Sequence, residues 1–373
     1  MEPELKRILG GLVALNTVSA RPNEPAIALI ERELAGRGWH LKRLPYRRDR
    51  QERINLLVTS SDTDRPELAL VGHTDTVPWD PEWTEAATLV EKDGLLYGRG
   101  TCDMKGFLAC MLALARSIDP TKLAKPLAFI FTADEEIGCI GAKQLLADGA
   151  IHPRYAIVGE PTSLQPVRAG KGYCLAEITV HGREAHSAFP RNGVSAITQA
   201  ARLITEIEKL AGANEAQSHA FFDPPYTTVN LGQIAGGTAK NIIAGHCRLT
   251  VEWRPIAGEE PRAFGDRLTT LVQAMHSADS SFEATVNVQR LESGFETAAD
   301  SRIVKLFEKL TASPATSVAY GTEAPQFTAL GAETVVCGPG NMRVAHRTGE
   351  HVALTELVRT TGLLRVAVRE LCE

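Results

Sequence analysis

Cysteine is scarce, with 7 in 373 residues, and no two of them form a CxxC pair. An odd number at wide spacing builds neither a disulfide scaffold nor a thiolate zinc site, and it fits a reducing compartment. No apolar run approaches the ~18 residues of a membrane span, so no membrane partner is expected. Positive charge is not in excess either: 40 Lys and Arg stand against 45 Asp and Glu, a formal net charge of -5. Without a basic field, nucleic acid is not an expected partner. Gly236-Gly237-Thr238 is glycine-rich but lacks the phosphate-loop spacing, so nucleotide binding is not expected. Internal repeats, low-complexity linkers and long charge runs are missing as well. So is a basic leader, because Glu2 and Glu4 precede the apolar run Ile8–Leu15. Leu5, Ile8, Leu9, Leu12 and Val13 recur at helical spacing, which predicts an amphipathic core helix in a cytoplasmic protein.

What is present is ordinary globular composition, 44% hydrophobic and 23% charged, on a length that suggests about two domains. The first half alternates helix and strand. Ile27, Ile30 and Leu34 mark a helix that stops at Gly36 and Gly38. Short apolar runs at Ile54–Thr59, Leu68–Val71, Leu127–Phe131 and Ala156–Val158 read as buried strands. Met104–Ser117 and Gly141–Ala147 read as helices between them. This alternation predicts an α/β sheet covered on both faces.

The middle of the chain changes character. Tyr173–His181, Thr227–Leu231, Cys247–Arg254 and Phe282–Val288 alternate like half-buried strands. Val194, Ile197, Ala201, Ile204 and Ile207 form a helix stripe, and Glu260–Met275 is a second helix. The order β-α-β-β-α-β is the ferredoxin-like unit, whose bare face or edge invites pairing with a second copy. After about residue 290 the α/β pattern returns with a helix at Ile303–Leu310, a strand at Glu333–Cys337 and a closing helix at Leu354–Leu371. The expected division is residues 1–172 and 290–373 for one α/β domain, with 173–289 inserted.

Ligands of open α/β sheets bind beyond the carboxyl ends of the strands, so the residues just past each apolar run are the candidates. His73 and Asp75 come after the second run; Asp134, Glu135 and Glu136 after the third; Glu160 after the fourth. Gly338-Pro339-Gly340 and His346 come after the last strand, and Asp103 stands just ahead of a helix. Taken singly, each has a bland reading: a structural histidine, a solvated acidic pair, an N-cap at Asp103. Taken together, two imidazoles and several carboxylates crowd one end of a sheet, a costly arrangement unless cations neutralise it. Imidazole plus carboxylate without thiolate suits Zn²⁺, Co²⁺ or Mn²⁺. A pair of such ions needs a bridging carboxylate and shares a water whose pKa falls towards about 7.

These residues resemble the aminoacylase-type metallopeptidase family, which holds acetylornithine deacetylases, succinyl-diaminopimelate desuccinylases, glutamate carboxypeptidases and aminoacylases. The resemblance is carried in order by residues 72–78, 98–106, 132–138, 159–162, 182–190, 236–241 and 338–350. It implies an α/β, zinc-peptidase-like catalytic domain with a central mixed sheet, interrupted by an inserted ferredoxin-like α+β dimerisation domain. It also implies two Zn²⁺ ions, one held by His73 and Glu160, the other by Glu136 and His346, with Asp103 bridging. Glu135 is implied as the general base, and Asp75 as the carboxylate that fixes the His73 tautomer. By sequence alone His186 is a turn histidine. The resemblance implies that it reaches across a homodimer to the oxyanion in the partner's site. Asn241 and Arg254 match substrate-contacting positions, and the fork of Arg254 suits a carboxylate.

Residues 166–172, 222–228 and 320–324 look closest to the acetylornithine deacetylases of that family. The expected reaction is therefore removal of an acetyl group from a small N-acyl amino acid, with Glu323 near a distal ammonium. A desuccinylase, a broad aminoacylase or dipeptidase, and a non-catalytic metal-dependent binding protein are the competing readings. The chain departs from the deacetylases at Arg347-Thr348-Gly349, where Pro-Asp often stands, yet it retains Glu350. Cys102 has no dedicated base in sequence and is not expected to act as a nucleophile.

Overall fold

In the computed structural model, which describes residues 1–373, the chain divides into two compact units. The first comprises Met1–Arg168, Thr297–Thr316 and Thr322–Glu373; the second comprises Ala169–Glu296 and Ser317–Gly321. The divisions fall a few residues from 172/173 and 289/290. Their cause is backbone pairing too short to leave a sequence pattern: Phe295 and Glu296 pair with Gly170 and Ala169, and Lys171 N donates to Val318 O.

The first unit is built on a mixed sheet. In order across it run His40–Arg48, Gln51–Thr59, Leu127–Thr132, Leu68–His73, Tyr155–Pro161, Glu333–Gly338 and the strand beginning at Val167. The four strands from Leu127–Thr132 to Glu333–Gly338 are parallel, and the flanking pairs are antiparallel. Leu68–His73 is buried at every position because helices cover both faces. The helix Glu2–Val13 buries the predicted stripe Leu5, Ile8, Leu9, Leu12 and Val13, and packs on the central helix Lys105–Ser117. That central helix is buried nearly all round. It approaches the sheet where side chains are missing: a Cβ on Gly159 would meet the Phe107 ring at 2.0 Å, and one on Gly72 would meet Leu108 at 2.7 Å.

Three features of this unit depart from the sequence reading. The strand His40–Arg48 is an exposed edge rich in charge, so no apolar pattern announces it. A small sheet of Val90–Lys92, Leu95–Tyr97 and His351–Ala353 brings the C-terminal part of the chain against residues 90–97. Asp103 is not a cap: the helix starts at Lys105 with no side-chain cap hydrogen bond.

The second unit has the four-stranded order Thr228–Gly236, His246–Arg254, Cys174–His181, Glu283–Arg290, antiparallel throughout. Cys174, Ala176, Ile178, Val180, Leu249, Val251 and Trp253 face the helices Ala196–Gly212 and Ala263–Ala278. The first helix starts later than its expected stripe, because Ser195 caps it by accepting from Thr198 N while Val194 bonds to Arg183. Its buried face is Ala196, Ala200, Leu203 and Ile207, and Ile197 is 45% exposed. No helix of either unit is long and apolar enough to cross a membrane.

Gly159→Ala forces a methyl group into the Phe107 ring, and overpacking of this kind costs about 1–3 kcal/mol. A lower urea midpoint with an unchanged slope is the expected result; an unaltered midpoint would show that helix and sheet separate freely here.

Candidate metal centre

Neighbouring parallel strands deliver polar groups to one edge of the first unit. His73 ends Leu68–His73, and Glu160 stands near the end of Tyr155–Pro161. Leu127–Thr132 leads into Glu135 and Glu136, and Glu333–Gly338 into the loop that carries His346. Asp103 arrives from a turn instead. Gly100 in that turn has φ 83°, and a Cβ on it would meet Lys105 at 2.8 Å and Thr76 at 2.9 Å, so the turn requires glycine.

The side chains converge in two overlapping groups. Ligand atoms of His73, Asp103 and Glu160 lie within 4.8 Å of one another, and so do those of Asp103, Glu136 and His346. Asp103 belongs to both: its Oδ1 is 3.1 Å from His73 Nε2 and its Oδ2 is 3.2 Å from His346 Nε2. His346 Nε2 is also 3.1 Å from Glu136 Oε2. His73 Nδ1 lies 3.0 Å from the carbonyl oxygen of Asp75. A carbonyl only accepts, so Nδ1 carries a hydrogen in either protonation state; Nε2 donates to Asp103 when the ring is charged and presents a lone pair when it is neutral. Glu160 Oε1 is buried and has no hydrogen-bond partner. An orphaned carboxylate oxygen beside His73 and Asp103, with Glu136 and His346 grouped around the same Asp103, is a donor set that fits two divalent cations.

The electrostatics express the same crowding. Burial pushes the carboxyls of Glu160 and Glu135 well above the usual carboxylate range, and neighbouring Asp103 pushes each higher. Glu136 is raised for the same reasons. Asp103 is the exception: its burial is outweighed by hydrogen bonds from His346 and His73, which lower it. Those bonds in turn raise His346 to about 10. The Cys102 thiol is buried, donates to Asn341 O at 3.5 Å and is pushed up by desolvation, consistent with an inert cysteine.

The family model described as Peptidase family M20/M25/M40 matches residues 69–370. The chain belongs to this peptidase family. A relative from Myxococcus xanthus named acetylornithine deacetylase is 46% identical over 374 residues, spanning 99% of this chain and 98% of its own length. A tripeptidase from Staphylococcus aureus shares the fold with a TM-score of 0.79 at 22% identity, covering 99% of both chains. A Bacillus subtilis M20-family protein described as a dinuclear metal binding peptidase matches with a TM-score of 0.70 at 14% identity, covering 99% of this chain and 98% of its own. Membership of the M20/M25/M40 family makes this chain a hydrolase acting on amides.

Within this M20-family site, Asp75 differs from expectation. Its carboxylate Oδ1 stands 3.7 Å from His73 Nδ1, and the close tie to that ring is its backbone carbonyl. The carboxylate instead accepts from the backbone amides of Glu135 at 3.1 Å and Glu136 at 3.3 Å, and from Ser19 Oγ at 2.7 Å. Ser19 is itself held, since its carbonyl accepts from Arg48 and Arg53, and Arg53 Nε lies 3.2 Å from Asp134 Oδ1. Tyr46 Oη also donates to Asp134, at 2.9 Å. Cys139 Sγ lies 3.5 Å from Glu135 Oε1. Sequence reasoning assigned no role to Ser19, Arg53, Asp134 or Cys139. Arg53 at the head of the apolar run Ile54–Thr59 was the available signal, because an arginine there needs a buried partner.

The expected substrate residues fare differently. Glu323 has no exposed surface; its Oε2 accepts from Thr132 Oγ1 at 2.8 Å, and burial raises it to about 7. Its Oε1 is buried with no hydrogen-bond partner, and its charge raises the carboxyls of Glu135 and Glu160, which places it close to the metal centre. His186, Asn241 and Arg254 lie in the second unit. His186 and Asn241 are exposed neighbours, linked by Ser187 N donating to Asn241 O at 3.0 Å. His186 Nδ1 accepts from Ala188 N at 3.0 Å, so its hydrogen sits on Nε2. The Arg254 guanidinium is 4.7 Å from the Tyr173 ring centroid and donates to Ala319 O at 3.2 Å.

Asp75→Asn keeps one acceptor oxygen but turns an NH₂ group towards a donor. Loss of such a supporting partner is expected to lower metal affinity and turnover by about 10–100-fold. Wild-type kcat in this variant would remove Asp75 from the working site.

Proposed function

We propose that this chain hydrolyses N-acetylornithine to ornithine and acetate as a step of arginine biosynthesis in the cytoplasm. The observation that carries the reading is the pair of three-residue groups sharing Asp103, in a chain 46% identical to an acetylornithine deacetylase over nearly its full length. His73 and Glu160 would hold one cation and Glu136 and His346 the other, with Asp103 shared between the two groups. The donor set suits zinc, with cobalt or manganese as substitutes. When bound, the two cations supply Lewis-acid polarisation of the acyl carbonyl and a more acidic water.

The chain's own groups do the rest. Glu135 stands next to a ligand but outside both groups, with its amide fixed by Asp75. It takes the proton of the attacking water and passes it to the leaving nitrogen. Arg254 meets the substrate carboxylate, and Asn241 contacts the substrate from the same unit. Hydrolysis of acetylornithine, succinyl-diaminopimelate, acetylmethionine and dipeptides, each with and without added Zn²⁺ or Co²⁺, tests the assignment. Acetylornithine is expected to be cleaved fastest, and only with metal; Glu135→Ala is expected to keep its metal and lose nearly all turnover. Preference for another member of the panel would overturn the substrate.

The reading includes a homodimer formed through the second unit. Supporting it are the edge strand Thr228–Gly236 and a group of exposed apolar residues, with Ile234 57%, Ile197 45% and Ile242 38% exposed. His186 then donates its Nε2 hydrogen to the oxyanion in the partner's site. Removal of one such donor typically costs about 10²–10³ in kcat. His186→Ala and Glu135→Ala, each nearly inactive alone, are expected to recover activity when mixed and allowed to exchange subunits. A mixture as inactive as its components would place His186 outside the partner's chemistry.

A further inference from the structure

Asp103 belongs to both groups of ligands, yet no strand ends at it, and the bonds within its own turn, Thr101 N to Gly98 O and Lys105 N to Gly100 O, do not hold the Asp103 amide. The contact that does so comes from 247 residues away in sequence. Glu350 Oε1 accepts from two consecutive backbone amides, Cys102 at 2.9 Å and Asp103 at 3.0 Å. Glu350 Oε2 accepts from Arg99 Nη1 at 2.5 Å. Arg99 is fixed in turn: Nη2 donates to Pro78 O at 3.3 Å and the guanidinium lies 5.3 Å from the Trp83 ring centroid. Both partners are sealed from solvent, Glu350 at 1% and Arg99 at 3% exposure. Backbone pairing brings Glu350 there, since His351 pairs with Tyr97 and Gly98 N donates to Glu350 O at 3.1 Å.

A buried ion pair is a poor device for stability, because apolar replacements of similar size are often neutral or better. Its use here is directional. The same device occurs a second time, where Asp75 spans the amides of Glu135 and Glu136. We infer that Glu350, clasped by Arg99, is a positioning residue that aims Asp103 between the two cations through the Cys102 and Asp103 amides. This inference rests on the two-cation reading above. It carries a consequence that a general stabilising role lacks: Asp103 is shared, so loosening it weakens both cations together.

The test is titration of the metal-stripped full-length protein with Co²⁺, followed by calorimetry and by the visible cobalt spectrum, with kinetics on acetylornithine. Wild type is expected to take up two ions. Glu350→Gln is expected to bind both about 10–100-fold more weakly, with an altered cobalt spectrum, a lowered kcat and a KM within about twofold. Binding of both ions as in wild type, or weakening confined to one, overturns the inference. Should Glu350→Gln fail to fold, Arg99→Lys keeps the charge and loses the fork. It is expected to weaken both ions by about threefold, and wild-type binding in that variant overturns the inference equally. A wild-type protein that takes up fewer than two ions overturns the two-cation reading itself, and that result is visible before any variant is made.

Discussion

Like charges gathered in a space too small for them are the constraint around which this protein is organised. Asp103, Glu136 and Glu160 stand beside Glu135, and burial opposes ionisation at each of them. Two unit charges about 4 Å apart interact by about 4 kcal/mol at an effective dielectric of about 20. Several carboxylates at that spacing stay ionised only beside compensating positive charge, and the two histidines are too few to supply it. The arrangement is therefore a receptor for cations, and the sheet beneath it exists to keep the ligands from drifting apart. Parallel strands do this well, because successive strands end at the same edge and helices on both faces hold them at full packing density.

Behind the candidate ligands lies a layer of buried hydrogen-bonded charge. Asp75 and Glu350 each grip two consecutive amides, those of Glu135 and Glu136 and those of Cys102 and Asp103. Ser19 and Arg99 hold those carboxylates, and Arg53 with Asp134 holds the segment around Ser19. Loops are otherwise the mobile part of a fold. Buried hydrogen-bonded charge gives these loops the fixed geometry that a strand end gives His73. The arrangement explains how Asp103, on a turn, and Glu136, on a loop, share one histidine at about hydrogen-bond distance.

The second unit follows a different logic. Its sheet is antiparallel, its core is built from alternate residues of each strand, and one face carries both helices. Two of its polar residues, His186 and Asn241, are exposed neighbours, and the hydrogen of the His186 ring sits on Nε2. A single chain thus combines a rigid, buried cation receptor with an exposed donor set on a separate unit.

Much of this was legible in the residues themselves. Hydrophobic period alone separates the buried parallel strands from the alternating ones of the inserted unit, since period is a local property of the chain. The ligand candidates were legible because strand ends deliver them: His73, Glu136, Glu160 and His346 each come after an apolar run. The turn of Asp103, the edge strand His40–Arg48 and the four-residue overrun at Arg168 were not, because exposure, a glycine turn and two-residue ladders leave no periodic trace. Glu323 shows the limit most plainly. Its place in a motif suggested a substrate contact; its complete burial, with one oxygen bonded to Thr132 and the other unpartnered, leaves no trace in the sequence. Sequence determined which residues could bind cations and that they follow the ends of strands; the order of those strands across the sheet came from the fold. Tertiary structure alone decided which carboxylates meet in groups that could hold a cation and which bond to the amides behind them, because that choice depends on distances between segments up to 251 residues apart, and local periodicity carries no information about them.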